Sequence, residues 1–265
     1  MSTHTLQPVD ERGWRMGFGN LIRKENGLWW ATRTWWVQAL IWLLILNGLL
    51  AAVLWAVPQG EEVPSVEAIE VFFIIGGMAT GIGITIIMEG AVIDERRSGT
   101  LAWILSKPVS RTAFLLAKLI ANSAGALAIM VGLQGVVAYL QLRAAGHEVG
   151  FLPFLGGVAL LGLHMMFYLT LTLALSAATD NRGLTIAAPL LVLFSYQFLT
   201  SLLPFLTEIM PWGLVYPVVP GTTGGMASLV AQGQPLPSIT PIIATVLWCV
   251  LFVGGALWRF AQEEF

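Results

Sequence analysis

The stretch that decides the fold is residues 94–111, Asp-Glu-Arg-Arg-Ser-Gly-Thr-Leu-Ala-Trp-Ile-Leu-Ser-Lys-Pro-Val-Ser-Arg. It is a polar and charged island between two long apolar segments, since residues 71–93 end at it and another apolar run begins at Thr112. A simple reversal of the chain needs only a few residues, so a connection of this length is expected to have structure of its own. Its last serine, Ser110, can cap the helix that follows.

The middle of this stretch predicts a short amphipathic helix. Leu101, Ile104 and Leu105 have the i, i+3, i+4 spacing that places three side chains on one helical face. Ser98 can cap the start of that helix. Pro108 ends it, because the residue before a proline is pushed out of helical geometry. We therefore expect a short helix that lies at a membrane surface, with positive charges around it.

The composition is that of a membrane protein. Of the 265 residues, 57% are hydrophobic and only 11% are charged, and the mean hydropathy is +0.79. Soluble domains contain about 25% charged residues, so most of this chain must face lipid or other spans. The net charge of −2 argues against a nucleic-acid partner. The single cysteine, Cys249, excludes an internal disulfide, and the polar residues 1–20 are not expected to form a signal peptide.

Six apolar runs are long enough to cross a bilayer, which takes about 20 largely apolar residues. Every backbone donor must be paired inside lipid, and these runs lack the alternation of strands, so we expect them to be helices. The expected spans are residues 36–57, 71–93, 112–142, 154–177, 184–203 and 239–260, and Pro58 ends the first of them.

Lysine and arginine indicate the orientation of the chain. Of the thirteen such residues, twelve lie before the first span, around the 94–111 loop, or in the other connections and ends on that side, and only Arg143 lies opposite. Cytoplasmic loops carry the excess of positive charge in membrane proteins. This bias predicts that both termini and the 94–111 loop are cytoplasmic, in a cell membrane (inner or plasma).

Residues 1–34 form a leader with one amphipathic segment. Trp14, Phe18, Leu21 and Ile22 have i, i+4, i+7, i+8 spacing, which predicts a helix lying in the cytoplasmic membrane interface. A solvated leader with stray aromatic residues is the alternative. Four tryptophans near the first span are expected to anchor the chain at the lipid headgroups, with ligand stacking as the alternative. They are Trp29, Trp30, Trp35 and Trp36.

The external connection before the last span, residues 204–238, is too long for a turn and too apolar for a free loop. Its apolar pieces are broken by prolines and glycines, and none is long enough to span. Such broken segments are tolerated at membrane depth only where protein covers them or where they line a cavity. We expect either a gating segment or a loop that folds over the bundle without gating.

The chain has no sequence signature of ATP binding or catalysis. It contains no Gly-x-x-x-x-Gly-Lys-Ser/Thr loop, and Gly81-Ile82-Gly83 lies within a span with no strand before it. His4, His147 and His164 are far apart, and no histidine or cysteine has ligand spacing, so no metal site is expected. We therefore expect the chain not to be an enzyme, to hold no cofactor, and to take its energy either from another polypeptide or not at all.

A few polar side chains lie at membrane depth. His164 and Asn122 are candidates for a translocation pathway, and a buried side chain facing another helix is the alternative for His164. Glu89 lies near the cytoplasmic end of the second span, where we expect it to pair with Lys118 or Arg97. Serine and threonine hydroxyls can bond to their own helices, so a pathway would be mostly apolar and would suit an amphipathic or lipid-like cargo.

Residues 95–101, Glu-Arg-Arg-Ser-Gly-Thr-Leu, and 105–111, Leu-Ser-Lys-Pro-Val-Ser-Arg, closely resemble the acidic-Gly-Thr-Leu and Leu-Ser-x-Pro-Val-Ser-Arg signature of type-2 ABC exporter permeases. In that family this segment is the first cytoplasmic loop and carries a coupling helix that docks on a separate ATPase subunit. The resemblance implies two permease subunits, identical or similar, with two ATPase subunits that bind ATP and Mg²⁺. It also implies that a re-entrant helical pair within residues 204–238 forms an external gate.

The complete prediction is a single permease domain over residues 1–265. It is an all-α membrane protein with six transmembrane helices, an N-terminal interfacial helix, a cytoplasmic coupling helix within residues 94–111 and a re-entrant external segment. The residues assigned to coupling are Glu95, Gly99, Thr100, Leu101, Leu105 and Pro108. The residues assigned to the gate are Pro211, Trp212, Tyr216, Pro217 and Pro220. Two alternatives are a same-fold complex that transmits force or senses a ligand without transport, and an ion-coupled transporter, which would need midplane carboxylates or an internal repeat.

Overall fold

The computed structural model describes residues 13–56, 65–217 and 224–263, and within these ranges the chain is helical and contains no strand. A short 3₁₀ helix comes first, and two π-helical turns, Leu43–Asn47 and Leu127–Gly132, interrupt longer helices. The helical segments are Gly13–Arg15, Phe18–Trp30, Thr34–Trp42, Leu43–Asn47, Gly48–Trp55, Ser65–Met88, Ile93–Arg97, Thr100–Leu105, Arg111–Ala126, Leu127–Gly132, Leu133–Ala144, Phe151–Ala178, Arg182–Phe194, Tyr196–Leu202, Leu206–Ile209, Trp212–Val215, Met226–Ala231 and Thr240–Ala261.

In this described part of the chain, five helices are long and apolar enough to cross a membrane, as judged by length and composition. A sixth crossing is present if one bent pair of helices counts as a span. The continuous crossings are span 1 (Trp35–Trp55), span 2 (Ser65–Arg97), span 3 (Arg111–Ala144), span 4 (Phe151–Ala178) and span 6 (Thr240–Ala261).

Span 5 is the bent pair, Arg182–Phe194 and Tyr196–Leu202, whose axes meet at 57°. The sequence predicts a crossing over residues 184–203, and the structure adds a bend within it. The bend falls at Ser195, whose hydroxyl donates a hydrogen bond to the carbonyl of Val192, 3.2 Å away. A hydroxyl bonded to its own helix competes with the backbone ladder and favours a bend.

The N-terminal helix, Phe18–Trp30, begins at Phe18 rather than at Trp14, where the predicted pattern starts. It packs against the first helix of span 3. Its buried residues, Leu21, Glu25 and Trp29, follow one another at i, i+4 and i+8 along one face. Because one of the three is a carboxylate, this helix is attached to the bundle by charge as well as by apolar contact.

Trp29 is not a headgroup anchor, which corrects one prediction. Its side chain is buried, and its indole N–H donates to the amide oxygen of Asn122 at 2.9 Å. Gly125 of span 3 makes room for the ring, because a Cβ at that position would lie 2.3 Å from it. Large exposed fractions are found instead at the other three tryptophans of the cluster, Trp30, Trp35 and Trp36.

Span 4 lies at the centre of the bundle. It packs against span 2, span 6 and the short helix Met226–Ala231. The close approach of that short helix depends on Gly157, where a Cβ would lie 2.4 Å from the carbonyl oxygen of Ala227. Small residues allow helix backbones to approach in this way inside membranes. The external connection is thus seated on the central helix of the fold.

The 94–111 loop, the turn between spans 4 and 5, and the end of span 6 lie together, and we call this side the charged end. Arg96 donates a hydrogen bond to the carbonyl of Thr179 in that turn at 3.3 Å. Arg111 donates to the carbonyl of Ala261 at the end of span 6 at 2.7 Å. Arg96 and Arg111, two of the basic residues that predict the orientation of the chain, therefore also join segments of the charged end.

Candidate functional site

The 94–111 loop contains two short helices, Ile93–Arg97 and Thr100–Leu105, and we call the second the loop helix. Gly99 between them has φ of 73°, in the left-handed region where a residue with a Cβ is strained. This glycine precedes the loop helix, so the predicted cap at Ser98 is wrong. Ser98 ends the first helix instead, and its hydroxyl donates to a carbonyl of that helix at 3.3 Å.

The loop helix turns its predicted apolar face towards the bundle. Leu101 is 1% exposed and Ile104 is 7% exposed, whereas Trp103 is 65% exposed. Leu105 is half-buried. The ammonium group of Lys107 lies 5.1 Å from the centre of the Trp103 ring, a cation–π distance. The outward surface of the loop helix is therefore an exposed indole ring with a positive charge beside it.

The end of the loop is fixed at Ser110, which caps span 3 as predicted. Its hydroxyl oxygen accepts a hydrogen bond from the backbone N–H of Ala113 at 2.9 Å. The same hydroxyl donates to the carbonyl of Trp14, and the Ser110 backbone N–H donates to the carbonyl of Met16 at 2.9 Å. Pro108 lies just before this attachment and is exposed. The loop therefore cannot move far without moving the segment before the N-terminal helix.

A groove of about 370 Å³ lies between the N-terminal helix and the loop helix. Its walls include the apolar side chains of Leu21, Trp103 and Ile104. Lys24 and Lys107 also line it, and both are exposed at the charged end. The groove thus combines apolar walls with two positive charges.

Glu95 links three segments of the charged end. One of its carboxylate oxygens accepts hydrogen bonds from the ammonium groups of Lys24 at 2.7 Å and Lys118 at 2.9 Å. Lys118 also contacts the carboxylate of Glu25 in the N-terminal helix at 3.1 Å. We call Lys24, Glu25, Glu95 and Lys118 the four-residue network. Lys118 and Glu25 are 4% and 5% exposed, so each of these charges depends on its partner.

The charge of Lys24 is fixed by the same network. Burial lowers the pKa of Lys24, but the hydrogen bond to Glu95 and the negative charges of Glu95 and Glu25 outweigh burial and raise the pKa above its ordinary value. Lys24 is consequently positive at any physiological pH. The ion pair of Lys24 and Glu95 thus joins the N-terminal helix to the 94–111 loop.

Arg96 joins the loop to two other segments. Its guanidinium group contacts the carboxylate of Asp180 at 2.8 Å and the carboxylate of Glu263 at 2.9 Å. It also donates to the carbonyl of Ala177 at the end of span 4 at 2.9 Å. The neighbouring Arg97 donates to the backbone carbonyl of Asp180 at 2.7 Å. These arginines hold the ends of spans 4 and 6 against the loop.

Glu89 is paired, but with a residue that the sequence does not indicate. Its carboxylate accepts a hydrogen bond from Arg182 at the start of span 5. The expected partners are both engaged elsewhere, Lys118 in the four-residue network and Arg97 at Asp180. The prediction chose partners that are closer to Glu89 in the sequence. The turn after Met88 places Glu89 next to span 5 rather than span 3.

The external segment, residues 204–238, has two buried stretches among its described residues, 211–216 and 224–229. It contains the short helices Leu206–Ile209, Trp212–Val215 and Met226–Ala231. Of the residues assigned to a gate, Pro211, Trp212 and Tyr216 are buried and Pro217 is exposed, while Pro220 lies outside the described residues. Their part in gating stays a prediction.

Three side-chain hydrogen bonds hold this segment to three different spans. His164 of span 4 bonds through Nδ1 to the carbonyl of Pro211 at 3.1 Å. Trp248 of span 6 donates from its indole nitrogen to the carbonyl of Ile209 at 2.8 Å. Trp212 donates to the carbonyl of Val192 in span 5 at 2.9 Å. The position of the segment therefore depends on the relative positions of spans 4, 5 and 6.

The two residues predicted for a pathway lie at opposite levels of the bundle. His164 is fully buried beneath the external segment. Asn122 is near the charged end, where its amide nitrogen donates to the carbonyl of Lys118 at 2.8 Å and its oxygen accepts from Trp29. The structure does not bring them together, and contact of either with cargo stays a prediction.

Several contributing residues are missed by sequence reasoning. Glu25 and Lys24 stand in the polar run that precedes the tryptophan cluster, and an acidic residue between apolar positions at i−4 and i+4 is a signal that could identify Glu25. Trp248 and Arg182 carry no local signal, because their partners are backbone or side-chain groups far away in sequence. Over the described ranges, no group of three or more His, Cys, Asp or Glu side chains is placed to hold a metal ion.

The chain matches a known protein family. The family model described as ABC-2 family transporter protein matches residues 32–265, whereas no curated protein matches the chain. The matched region begins just before span 1 and includes every crossing as well as the 94–111 loop. The chain therefore belongs to the ABC-2 transporter family, as a multi-pass membrane permease that is not itself the ATPase.

Proposed function

We propose that the chain is the permease subunit of an ATP-driven exporter that works as a dimer of identical or similar permeases in the cell membrane. Two separate ATPase subunits, which bind ATP and Mg²⁺, dock at the charged end, which is cytoplasmic along with both termini. The observation that carries the proposal is the loop helix, which is fixed to the bundle by Leu101 and Ile104 and presents Trp103 outward.

The exposed ring of Trp103 is a suitable anchor for a partner protein. Tryptophan is enriched among the residues that contribute most of the binding energy at protein interfaces. Trp103 and Lys107 stand together on the outward surface, and the adjoining groove offers apolar walls for a protruding side chain. An acidic and apolar surface on the ATPase subunit would complement this region.

Several contacts support transmission of ATPase motion from the loop helix to the rest of the bundle. The helix Ile93–Arg97 joins it directly to span 2, and the four-residue network joins it to span 3 and the N-terminal helix. Near the middle of the helix Ser65–Met88 of span 2, Gly77 packs so closely on Val215 that a Cβ would lie 2.6 Å from that side chain. A displacement of span 2 would therefore also displace the external segment.

The polar groups inside the bundle fit an amphipathic or lipid-like cargo. The hydroxyls of Thr80 and Thr85 in span 2 bond to carbonyls of their own helix at 2.7 Å and 2.8 Å. Thr170 and Thr172 in span 4 do the same. Hydroxyls engaged in this way leave an apolar lining. In this proposal, ATP-driven closure of the ATPase pair shifts the bundle between two states of the external segment.

The test of this function is the variant Trp103→Asp, with Trp14→Asp as a matched control at another exposed tryptophan of the charged end. We expect Trp103→Asp to insert normally but to lose most co-purification with the ATPase subunit and most ATP-dependent transport in vesicles, while Trp14→Asp retains both. The conservative variant Trp103→Phe should keep most activity. Undiminished ATPase binding and transport by Trp103→Asp would refute the proposal.

A further inference from the structure

A groove between spans 3 and 4, which we call the span 3–4 groove, has no role in the proposed function. It has a volume of about 420 Å³ and is lined by the second half of span 3 and the first half of span 4. Apart from Tyr139, its lining residues are glycines or have apolar side chains. Val136 and Leu140 on one wall and Phe151 and Leu155 on the other are exposed. The groove is therefore open on the outer surface of the bundle.

Close contacts between the two walls form the span 3–4 groove. Gly135 of span 3 packs so closely on span 4 that a Cβ would lie 2.8 Å from the side chain of Val158. Further along, the Tyr139 ring lies 5.6 Å from the Phe151 ring and 5.7 Å from the Phe154 ring, measured between ring centres. The groove is thus part of the packed bundle and is present before any ligand enters it.

The charges of span 3 indicate the level of the groove in the membrane. Lys118 and Arg143 are successive charged residues, since residues 119–142 contain none. At 1.5 Å per residue this uncharged stretch is about 36 Å long, slightly more than the ~30 Å hydrocarbon core of a bilayer. Arg143 therefore lies at the level of the lipid headgroups opposite the charged end, and the groove lies beside the acyl chains of the same leaflet.

Arg143 stands at the headgroup end of the groove. It follows Leu140 at i+3 and Tyr139 at i+4, the spacing of neighbours on one helical face. Its guanidinium donates a hydrogen bond to the carbonyl of His147 at 3.4 Å, in the turn that joins the two walls. The side chain is exposed, and no carboxylate of the described residues forms an ion pair with it. Glu148, the nearest acidic residue in the sequence, lines a different cavity on the side of span 2.

We propose that the span 3–4 groove and Arg143 bind one phospholipid with an anionic headgroup, from the leaflet opposite the charged end. One acyl chain lies in the groove, and the phosphate accepts hydrogen bonds from the guanidinium, a pairing that is frequently bidentate. A headgroup with net negative charge neutralises Arg143, whereas a zwitterionic headgroup brings a positive charge of its own. The site goes beyond the proposed function, since it needs neither the ATPase nor the cargo.

A second copy of the permease is the alternative occupant of an apolar groove at this level. Two copies packed groove to groove about a two-fold axis present the same residues to each other. Such a contact would bring two Arg143 side chains together, and neither has a carboxylate partner among the described residues. The unpaired charge therefore favours an anionic lipid over a second copy.

The experiment uses phosphatidylglycerol and phosphatidylcholine that each carry a diazirine near the middle of one acyl chain. Each probe is added in trace amount to the purified permease in nanodiscs of unlabelled phosphatidylcholine. After irradiation, the labelled peptides are identified by mass spectrometry. Attraction between one basic residue and an anionic lipid at the membrane surface corresponds to about a fivefold difference in occupancy. We expect the anionic probe to label residues 132–140 and 151–158 about fivefold more than the zwitterionic one.

Two pairs of variants test the two parts of the site. Arg143→Gln should abolish the preference for the anionic probe, while Arg33→Gln, at an exposed arginine before span 1, should preserve it. Val136→Trp fills the groove and should lower labelling by both probes. Leu152→Trp, at an exposed position of span 4 that does not line the groove, should leave labelling unchanged.

Three results would overturn the proposal. The first is equal labelling by the two lipids, and the second is a preference that persists in Arg143→Gln. The third is efficient cross-linking between two permease copies from a photoreactive phenylalanine derivative at position 136, which would show that protein covers the groove. The labelling is measured without the ATPase, so its failure would leave the proposed exporter standing, and absence of a co-purifying ATPase would leave the lipid site standing.

Discussion

Replacement of Lys118 by methionine tests the four-residue network at the charged end. The ammonium group of Lys118 is within 3.1 Å of Glu25 and 2.9 Å of Glu95, and the residue is 4% exposed. Removing one partner from a buried ion pair costs about 3–5 kcal/mol, because the remaining charge stays buried. Lys24 still lies 2.7 Å from Glu95 and 3.6 Å from Glu25, so we expect the lower limit of this range, about 3 kcal/mol.

The assay is the free energy of unfolding of purified protein in mixed micelles, measured by circular dichroism as the fraction of SDS increases. Lys107→Met is the matched control, since this lysine is exposed, and it should change the free energy by less than about 0.5 kcal/mol. The double variant Lys118→Met with Glu25→Gln also removes the buried carboxylate that has lost Lys118 as its closest partner. It should recover more than about 1 kcal/mol of the loss, as expected for residues in direct contact.

Two results would refute this reasoning. The first is a Lys118→Met variant no less stable than Lys107→Met, which would mean that the network contributes nothing to the fold. The second is strict additivity of the two substitutions in the double variant, which would mean that Lys118 and Glu25 do not interact. Limited proteolysis between the N-terminal helix and span 1 gives an independent check, because Lys118→Met should speed cleavage there.

Three further substitutions test single contacts. Gly99→Ala should destabilise the protein by about 1 kcal/mol in the same micelle titration, because the φ of 73° at this position strains any residue with a Cβ. The control is Gly27→Ala in the N-terminal helix, where an added Cβ meets nothing within 4 Å, and it should be neutral or stabilising. Equal effects of the two substitutions would contradict the assigned strain. Gly77→Ala should displace the external segment from span 2. A cysteine introduced as Leu214→Cys in a Cys249→Ser background should then react faster with a membrane-impermeant maleimide, and Val215→Ala should reverse the change. An unchanged rate of reaction would argue against contact between span 2 and the segment. Trp248→Phe removes the hydrogen bond to Ile209 and should lower the free energy of unfolding by about 1 kcal/mol. Trp258→Phe, at an exposed position, should not change it measurably. Equal free energies of unfolding for the two variants would show that the contact does not contribute to stability.

Features set by local pattern are the ones that sequence reasoning finds. The apolar runs predict six crossings, because lipid imposes a minimum length and leaves the helix as the only way to pair the backbone. Five of them are continuous in the structure, and the sixth is the bent pair. The spacing of Leu101 and Ile104 predicts the buried face of the loop helix, and Ser110 predicts the start of span 3. Each of these depends on residues within a few positions of one another.

Sequence reasoning misses the features that depend on contacts between residues far apart in the sequence. Glu89 pairs with Arg182, and Trp29 is buried against Gly125, because helices far apart in sequence meet at those points. The bend at Ser195 has no strong sequence signal, since serine is common in straight membrane helices. Likewise, both Ser98 and Gly99 can precede a helix, and only the left-handed φ angle of Gly99 identifies which one does.

The central claim, that the outward face of the loop helix binds the ATPase, is tested most directly by photo-cross-linking. A photoreactive phenylalanine derivative replaces Trp103 or, as a control, Trp55, which is 53% exposed at the opposite end of span 1. Membranes containing the complex are irradiated, and products are identified by their mass. The account predicts that the ATPase subunit is captured from position 103 and not from position 55. Capture from position 55 alone, or no capture from position 103 in a complex that hydrolyses ATP, would contradict it.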